Sequence, residues 1–242
     1  MDTAALLDPV AAYDRIAPVF PRLAAERRAY LDAVDRLVVS GIPPGSRSLL
    51  DVGAGDGARV SRIARASGLR ELTLLEPSAV MRSRCPPEAR IWAMRAEDLG
   101  REQGRFDVIT CLWNVLGHIF PTAARAEVLR QFARLVSSTG TIFIDVNHRY
   151  NARHYGTLPT ALRFLRDLVW PDVKNGDVTV QWAVEDGYCA TAGHVFTQGE
   201  FRSLCGAAGL RIDRRFVIDY ASGRLRRWSF EGNLLYVLRR AR

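Results

Sequence analysis

The chain has 242 residues, 48% of them hydrophobic and 25% charged, which suits one soluble α/β-sized domain with a sizeable buried core. No run of about 18 apolar residues occurs, which excludes a membrane-spanning helix, and the N-terminus has no basic-then-apolar leader pattern, so a cytoplasmic protein is expected. The formal net charge of +8 invites a nucleic-acid reading, yet Lys174 is the sole lysine and the arginines are spread from Arg15 to Arg242, as in a compositionally biased, solvated surface. The tail is denser in them, at Arg214, Arg215, Arg224, Arg226, Arg227, Arg239, Arg240 and Arg242. Four cysteines, Cys85, Cys111, Cys189 and Cys205, contain no CxxC pair, which argues against a zinc ribbon or a disulfide framework and fits a reducing compartment.

The elements follow in chain order. Residues 22–39 predict a helix with Leu23, Tyr30, Val34, Leu37 and Val38 on one face, stopped by Gly41-Ile42-Pro43-Pro44-Gly45. Ser48–Val52 predicts a strand and Ala58–Ser67 a helix. Strands are expected at Glu71–Leu75, Arg90–Ala93, Phe106–Leu112 and Thr141–Val146, with a helix at Thr122–Val136. This alternation implies a doubly wound α/β fold with a mostly parallel sheet. Residues 150–195 break the pattern: a helical run at Thr160–Asp167 precedes two alternating stretches, Val178–Val184 and Tyr188–Phe196, joined by Glu185-Asp186-Gly187 as a hairpin. Such an insertion is expected to cap the ligand crevice. Thr197-Gln198-Gly199-Glu200 is a capping box that opens a helix ending at Gly209, and Leu210–Ile218 and Asn233–Arg239 close the chain as strands.

The segment Leu49-Leu50-Asp51-Val52-Gly53-Ala54-Gly55-Asp56-Gly57-Ala58 carries the chemistry, a buried strand running into a glycine loop and then a helix. Gly53, Gly55 and Ala58 also satisfy the dinucleotide pattern G-x-G-x-x-G/A. Charge separates the two ligands: Asp51 and Asp56 would repel a pyrophosphate, whereas they suit a ligand with a cationic end, an amine or a sulfonium. Glu76, at the end of the second strand and 21 residues past Gly55, is placed to accept both hydroxyls of a ribose.

The loop, Glu76 and the strand Phe106-Asp107-Val108-Ile109 resemble a class I S-adenosylmethionine-dependent methyltransferase, and Gly193-His194-Val195-Phe196-Thr197 is similar to a run that many members carry before their last helix. The resemblance covers nearly the whole chain. It implies a seven-stranded sheet of order 3-2-1-4-5-7-6, strand 7 antiparallel, with S-adenosylmethionine across the strand ends and S-adenosylhomocysteine as product. It assigns Asp51, Gly53, Ala54 and Gly55 to the methionine part and Glu76 to the ribose, with Pro77 and Leu112 beside them. The family often has Asp-Ala after the third strand; here Arg95 stands at the Asp position, leaving Ala96 to meet the adenine with its backbone and Glu97 or Asp98 to read the amino group. Tyr13-Asp14-Arg15-Ile16-Ala17 resembles the family's lid over the methionine end, within an N-terminal helical lid expected over residues 1–45.

Methyl transfer from a sulfonium is an in-line displacement, which needs alignment and exclusion of water more than strong acid–base groups. The acceptor is therefore expected beyond the fourth and fifth strands. There Trp113 offers a flat wall, Asn114 an acceptor and two donors, and His118 a base. The segment is similar to the Cys-Leu-Gly-Asn-x-x-x-His run of glycine N-methyltransferase relatives, with Trp113 replacing the glycine. Asn147-His148-Arg149-Tyr150-Asn151 resembles their His-Arg-Asn-Tyr, offset by about two residues, and the likeness implies that Arg149 clamps a substrate carboxylate with Asn147 nearby. A small polar acceptor follows, nitrogen first and in specialised metabolism. The alternatives are a hydroxyl acceptor, a nucleic-acid methyltransferase and a non-catalytic S-adenosylmethionine-binding protein. No specific nucleic acid, membrane or metal is expected: Leu-Trp-Asn-Val stands where amino-methylating base flippers carry [Asp/Asn/Ser]-Pro-Pro-[Tyr/Phe].

Overall fold

The short run Leu6–Leu7 (β1) leads into helix α1 (Pro9–Ile16), whose start is fixed by Asp8: its carboxylate accepts the Val10 N–H at 2.9 Å, and Pro9 supplies a helical φ. The computed structural model describes residues 6–185 and 187–241, so Asp186 of the expected turn, Arg242 of the tail and the first five residues of the expected lid lie outside the described residues. The single helix expected over residues 22–39 is two, α2 (Phe20–Glu26) and α3 (Arg28–Gly41), parted where Arg27 leaves helical geometry at φ −110° and ψ 12°. Tyr30, Val34 and Val38, four residues apart, put one stripe of α3 into the core.

Strand β2 (Ser48–Val52), helix α4 (Ala58–Ser67) and strand β3 (Glu71–Leu75) have the expected bounds. They are followed by α5 (Ala79–Arg82), β4 (Arg90–Trp92), β5 (Phe106–Cys111), α6 (Thr122–Leu135) and β6 (Val136–Val146). Next come α7 (Ala152–Tyr155), α8 (Thr157–Val169), the hairpin strands β7 (Asp177–Val184) and β8 (Gly187–His194), and α9 (Gln198–Ala207). The chain ends in β9 (Leu210–Ile218), β10 (Leu225–Arg226) and β11 (Asn233–Arg240). The capping box is present: Thr197 Oγ1 accepts the Glu200 N–H at 3.1 Å, and Glu200 Oε2 accepts the Thr197 N–H at 3.5 Å.

The main sheet runs β4-β3-β2-β5-β6-β11-β9-β10. Strands β2 to β6 are parallel, and β11 is antiparallel to both β6 and β9. This is the expected order with one correction: the two-residue β10 pairs with β9 at the edge, making eight strands where seven were expected. Helices cover both faces. On one, α6 and α9 bring Leu129, Phe132 and Phe201 against Leu50, Ile109 and Ile144. On the other, α3 and α4 bring Val34, Val38, Val60 and Ile63 against Leu49, Leu74 and Val108. Because the parallel strands are buried on both faces, they read as continuous apolar runs, which is why most of their bounds were legible; β6 is corrected, beginning at Val136 and not at Thr141, because Ser137, Ser138 and Thr139 at its start break the apolar run.

The second sheet was only half expected. The β7–β8 hairpin is there, but β1 joins it parallel, pairing Leu6 with Ala190 and Leu7 with Thr191. Ala12, Ile16, Val19 and Cys189 form a small core beneath it. The N-terminal segment and the hairpin are therefore one structure over the C-terminal ends of β2 and β5.

Candidate active site

The glycine loop leaves β2 with Gly53 at φ +74°, where a side chain is strained, and a Cβ there would lie 2.6 Å from the Val115 methyls. Its path is fixed by the Gly53 and Ala54 N–H groups, which donate to Leu75 O at 2.8 and 3.1 Å. The next free amide, Gly55 N–H, donates to Glu76 Oε2 at 2.8 Å, while Ser78 N–H donates to Oε1, also at 2.8 Å. Each carboxylate oxygen has two lone pairs, so each retains one. Burial pushes the Glu76 carboxyl up to about 7 against the pull of the Ser78 and Gly55 amides.

Glu76 forms one wall of a cleft that also takes in Gly53, Gly55, Pro77, Ala96, Glu97 and Leu112. Glu97 faces this cleft, whereas Asp98, the other candidate for the adenine edge, is not among its walls. Arg95, at the position that departs from the family pattern, serves the fold: its Nη2 pairs with Asp8 at 2.6 Å and latches the start of α1 to the far side of the cleft. A second latch is Asp14, which accepts from Ser78 Oγ at 2.5 Å and from Val80 N–H at 3.3 Å. Asp51 and Ala54 lie round the loop in an adjoining cleft with Asp56, Phe20, Arg28 and Trp113. The buried Asp51 carboxyl, lifted by burial to about 6, accepts from Thr110 Oγ1 at 2.6 Å.

On the other side of Trp113 the walls are aromatic. Tyr13, Phe20, Trp113, Trp182 and Tyr220 gather round a cleft that also takes in His118 and Asn147. Tyr13 meets the His118 ring edge-on at 5.7 Å and Trp182 at 5.8 Å; Phe20 lies 5.6 Å from Trp113. Trp113 and Asn114 hold left-handed φ values of 63° and 60°, which Asn tolerates and which is costly for Trp. What holds them is the buried Asp145: it accepts the Trp113 N–H and the Tyr30 hydroxyl (2.7 Å), while its carbonyl accepts the Asn114 N–H at 3.3 Å. His118 Nδ1 lies 3.0 Å from Ala192 O and can only donate there, so the lone pair of the neutral ring sits on Nε2. Burial lowers the His118 pKa, which favours that neutral form.

One expected substrate residue is turned away from this space. Arg149 is buried, with Nε on Val195 O (3.3 Å), Nη1 on Asp167 (3.0 Å), and Nη2 on Glu200 (2.9 Å) and Val173 O (3.2 Å). Four of its five N–H donors are therefore committed, and it lines neither cleft. The expected carboxylate clamp is corrected to a structural tie between the end of β6 and helices α8 and α9. Asn114, by contrast, stands in the wall of the aromatic cleft. Its Oδ1 accepts the Asn147 N–H (2.9 Å) and its Nδ2 donates to His194 O (3.2 Å), so the amide braces the strand ends and keeps one N–H and one lone pair outside these two bonds. The sequence reading also missed Phe20, Trp182 and Tyr220. The only signal for Trp182 was its place in a hairpin expected to cap the crevice, and Tyr220 follows a strand that nothing local ties to the site.

A parallel sheet in this order, an acidic glycine loop and a buried carboxylate at the second strand's end define a class I S-adenosylmethionine-dependent methyltransferase, with S-adenosylmethionine as the methyl donor. The chain belongs to the methyltransferase-domain family, whose model matches residues 23–214. A comparison with curated proteins gave no match. Among solved structures, the CcbJ methyltransferase of Streptomyces caelestis superposes with a TM-score of 0.74 at 16% identity, over 98% of this chain and 100% of that one. The sugar N-methyltransferase KedS8 of a Streptoalloteichus species gives 0.61 at 18% identity, over 100% of this chain and 97% of that one. The magnesium protoporphyrin IX methyltransferase ChlM of Synechocystis, with bound S-adenosylmethionine, gives 0.59 at 14% identity, over 99% and 100%. At these identities the likeness is one of fold.

Proposed function

We propose that this enzyme methylates the nitrogen of a small amine whose body is largely apolar, held in the aromatic cleft between Tyr13, Trp113, Trp182 and Tyr220. That cleft carries the reading. It has flat walls and neutral polar groups, and among its lining residues no acid or base charged at neutral pH. A neutral amine reaches the methyl group with its lone pair free, so orientation supplies most of the rate. Aromatic faces also favour the methylated ammonium product. The sugar N-methyltransferase among the structural relatives is in keeping with a nitrogen acceptor, and the apolar walls argue against the more polar acceptor expected from the sequence.

The donor fits the residues present. The two lone pairs left on Glu76 suit the ribose diol. The apolar gap between Pro77, Ala96 and Leu112 suits a flat purine, with Glu97 at its edge. Asp51 and Arg28, in the adjoining cleft, suit the amino and carboxylate ends of methionine. When bound, S-adenosylmethionine supplies an activated methyl group. Tyr13, at the boundary of the donor and acceptor clefts, closes the space between them to water, and the second sheet serves as its cap, with the N-terminal segment as lid. His118 Nε2 receives the proton that a methylated ammonium loses afterwards. Asn147 is the neutral polar contact for the acceptor. No nucleic-acid substrate is proposed, since much of the basic tail is tied down: Arg226 to Asp219 (3.3 Å), Arg239 to Asp213 (3.3 Å), Arg214 and Arg227 over Phe216 and Trp228.

The test is transfer from methyl-labelled S-adenosylmethionine to separate pools of amines, alcohols, carboxylic acids and RNA or DNA, with products identified by mass spectrometry. Incorporation into the amine pool is expected. Incorporation into alcohols alone would make His118 an obligatory base and the enzyme an O-methyltransferase.

A further inference from the structure

Helix α8 is built inside out. Its charged residues are engaged within the chain: Asp167 accepts from Arg149 Nη1 at 3.0 Å and from the Tyr150 hydroxyl at 2.7 Å, Arg163 lies 4.4 Å over the Tyr155 ring, and Arg166, exposed on the flank of the helix, donates to Asn175 O at 2.8 Å. Thr160 is buried on the same side. The outward face carries Leu158, Leu162, Leu165 and Val169, exposed by 69, 58, 53 and 59%. Phe164, Leu168 and Trp170 flank that stripe, each more than half exposed. A surface helix normally has the opposite arrangement, its apolar stripe toward the core. An apolar patch of this extent on a soluble chain marks an interaction surface.

We infer that α8 is the centre of a twofold interface with a second copy of this chain. The spacing of the stripe is the first argument. Leu158, Leu162, Leu165 and Val169 follow one another at intervals of four, three and four, so the row reads the same in both directions. An antiparallel copy therefore sets Leu158 opposite Val169 and Leu162 opposite Leu165, with no register mismatch, which is the requirement of an isologous contact. Area is the second. A standard interface takes about 800 Å² from each partner, and seven large apolar side chains that are each more than half exposed supply an area of that order. Charge is the third. A helix lying on a membrane keeps its cations free at the rim to meet lipid headgroups, but both arginines of α8 are engaged within the chain. An uncharged stripe also lets two molecules of net charge +8 meet without like charges in contact.

The interface bears on the site through one tie. Arg149 joins Asp167 of α8 to Glu200 of α9, and Glu200 Oε1 lies 2.7 Å from His194 Nε2 at the end of β8, the middle strand of the second sheet. Pairing of α8 would fix the outer end of that chain of contacts.

Light scattering and sedimentation of the purified full chain test the inference. The expected mass at about 10 μM is twice 27.0 kDa. Leu165→Arg, which sets two cations against each other at the middle of the stripe, should weaken the dimer at least about 30-fold, the scale of a central interface residue. Leu158→Glu at its end should do so by less. Circular dichroism and S-adenosylhomocysteine affinity should be unchanged in both, and Leu225→Arg, in another exposed apolar position, should leave the dimer intact. A monomeric wild-type chain, a dimer indifferent to both α8 substitutions, or a monomer that floats with phospholipid vesicles would each overturn it.

Discussion

Glu76 and Arg149 invite comparison. Both are charged residues buried near the C-terminal ends of sheet strands, and both looked like ligand-binding groups in the sequence. Around Glu76 the partners are two backbone amides, which orient the carboxylate but bring no opposite charge and leave one lone pair on each oxygen. Around Arg149 they are two carboxylates and two carbonyls, which compensate the charge and take four of five donors. A buried charge kept for a ligand is recognisable by the capacity its neighbours leave open. Burial alone does not distinguish it from one that holds the fold together.

The sharpest way to break the comparison is to remove Arg149. Arg149→Ala should destabilise the fold by about 3 kcal/mol, because Glu200 loses its arginine and Asp167 keeps only the more distant Arg166 at 3.5 Å. The acceptor KM should hardly change at a temperature where the variant is folded. Chemical denaturation paired with steady-state kinetics checks this, and a raised KM with normal stability would restore the clamp expected from the sequence.

The donor side was legible because its information is local. Strand, glycine loop, helix and the following acidic strand end fall within Ser48 to Pro77, and a parallel βαβ unit allows few geometries for such a segment. The acceptor side gathers Tyr13, Trp113, His118, Asn147, Trp182 and Tyr220 from five stretches of chain, and their meeting depends on how the hairpin and N-terminus pack. Residue type suggested Trp113 and His118, but nothing local could place Trp182 opposite Tyr13. The motif around Arg149 misled for a related reason: its side chain, past the end of β6, is placed by Asp167, Val173, Val195 and Glu200, all distant in sequence. Most strand bounds in the main sheet were readable to within a residue or two for the same reason the donor site was; β6 is the exception, starting at Val136 and not at the expected Thr141. The β1 pairing, carried by two leucines, left no periodicity to read.

Substitution at Glu76 sharpens the other half of the comparison. Glu76→Ala should cost roughly 1.5–3 kcal/mol of cofactor affinity, the range for hydrogen bonds to a charged group. Calorimetric titration with S-adenosylhomocysteine measures it, and a loss confined to fold stability would make Glu76 a second Arg149. Between these extremes stands His118, with one nitrogen bonded to Ala192 O and the other on the cleft side. His118→Ala should lower kcat by less than about 10²-fold, the low end of general-base effects, if a neutral amine is the acceptor. Cofactor affinity should be unchanged, and an inactive enzyme that still binds both substrates would point to a hydroxyl acceptor.

The smallest expected effect is also the most specific to an open carboxylate. Desolvation lifts the Glu76 carboxyl to about 7, and only its ionised form offers both oxygens as acceptors to a diol. A ligand that needs this form binds with an apparent Kd divided by the fraction ionised, so affinity should fall about tenfold between pH 8 and pH 6. Asp51, lifted to about 6, would steepen the loss at lower pH for ligands that reach it. Methylthioadenosine separates the two, because it carries the ribose and the purine without the amino acid and has no group that titrates in this range. The folding linkage has the opposite sense. A carboxyl raised from 4.5 to about 7 in the folded chain contributes stability that is fully present below pH 4.5 and lost as the pH rises through 7, so the free protein gives up stability where it gains affinity. Isothermal titrations with methylthioadenosine at pH 6, 7 and 8 should show the tenfold trend in the wild type and none in Glu76→Gln. A flat wild-type profile would mean that the carboxyl is ionised throughout, and that the backbone amides of Gly55 and Ser78 outweigh its burial.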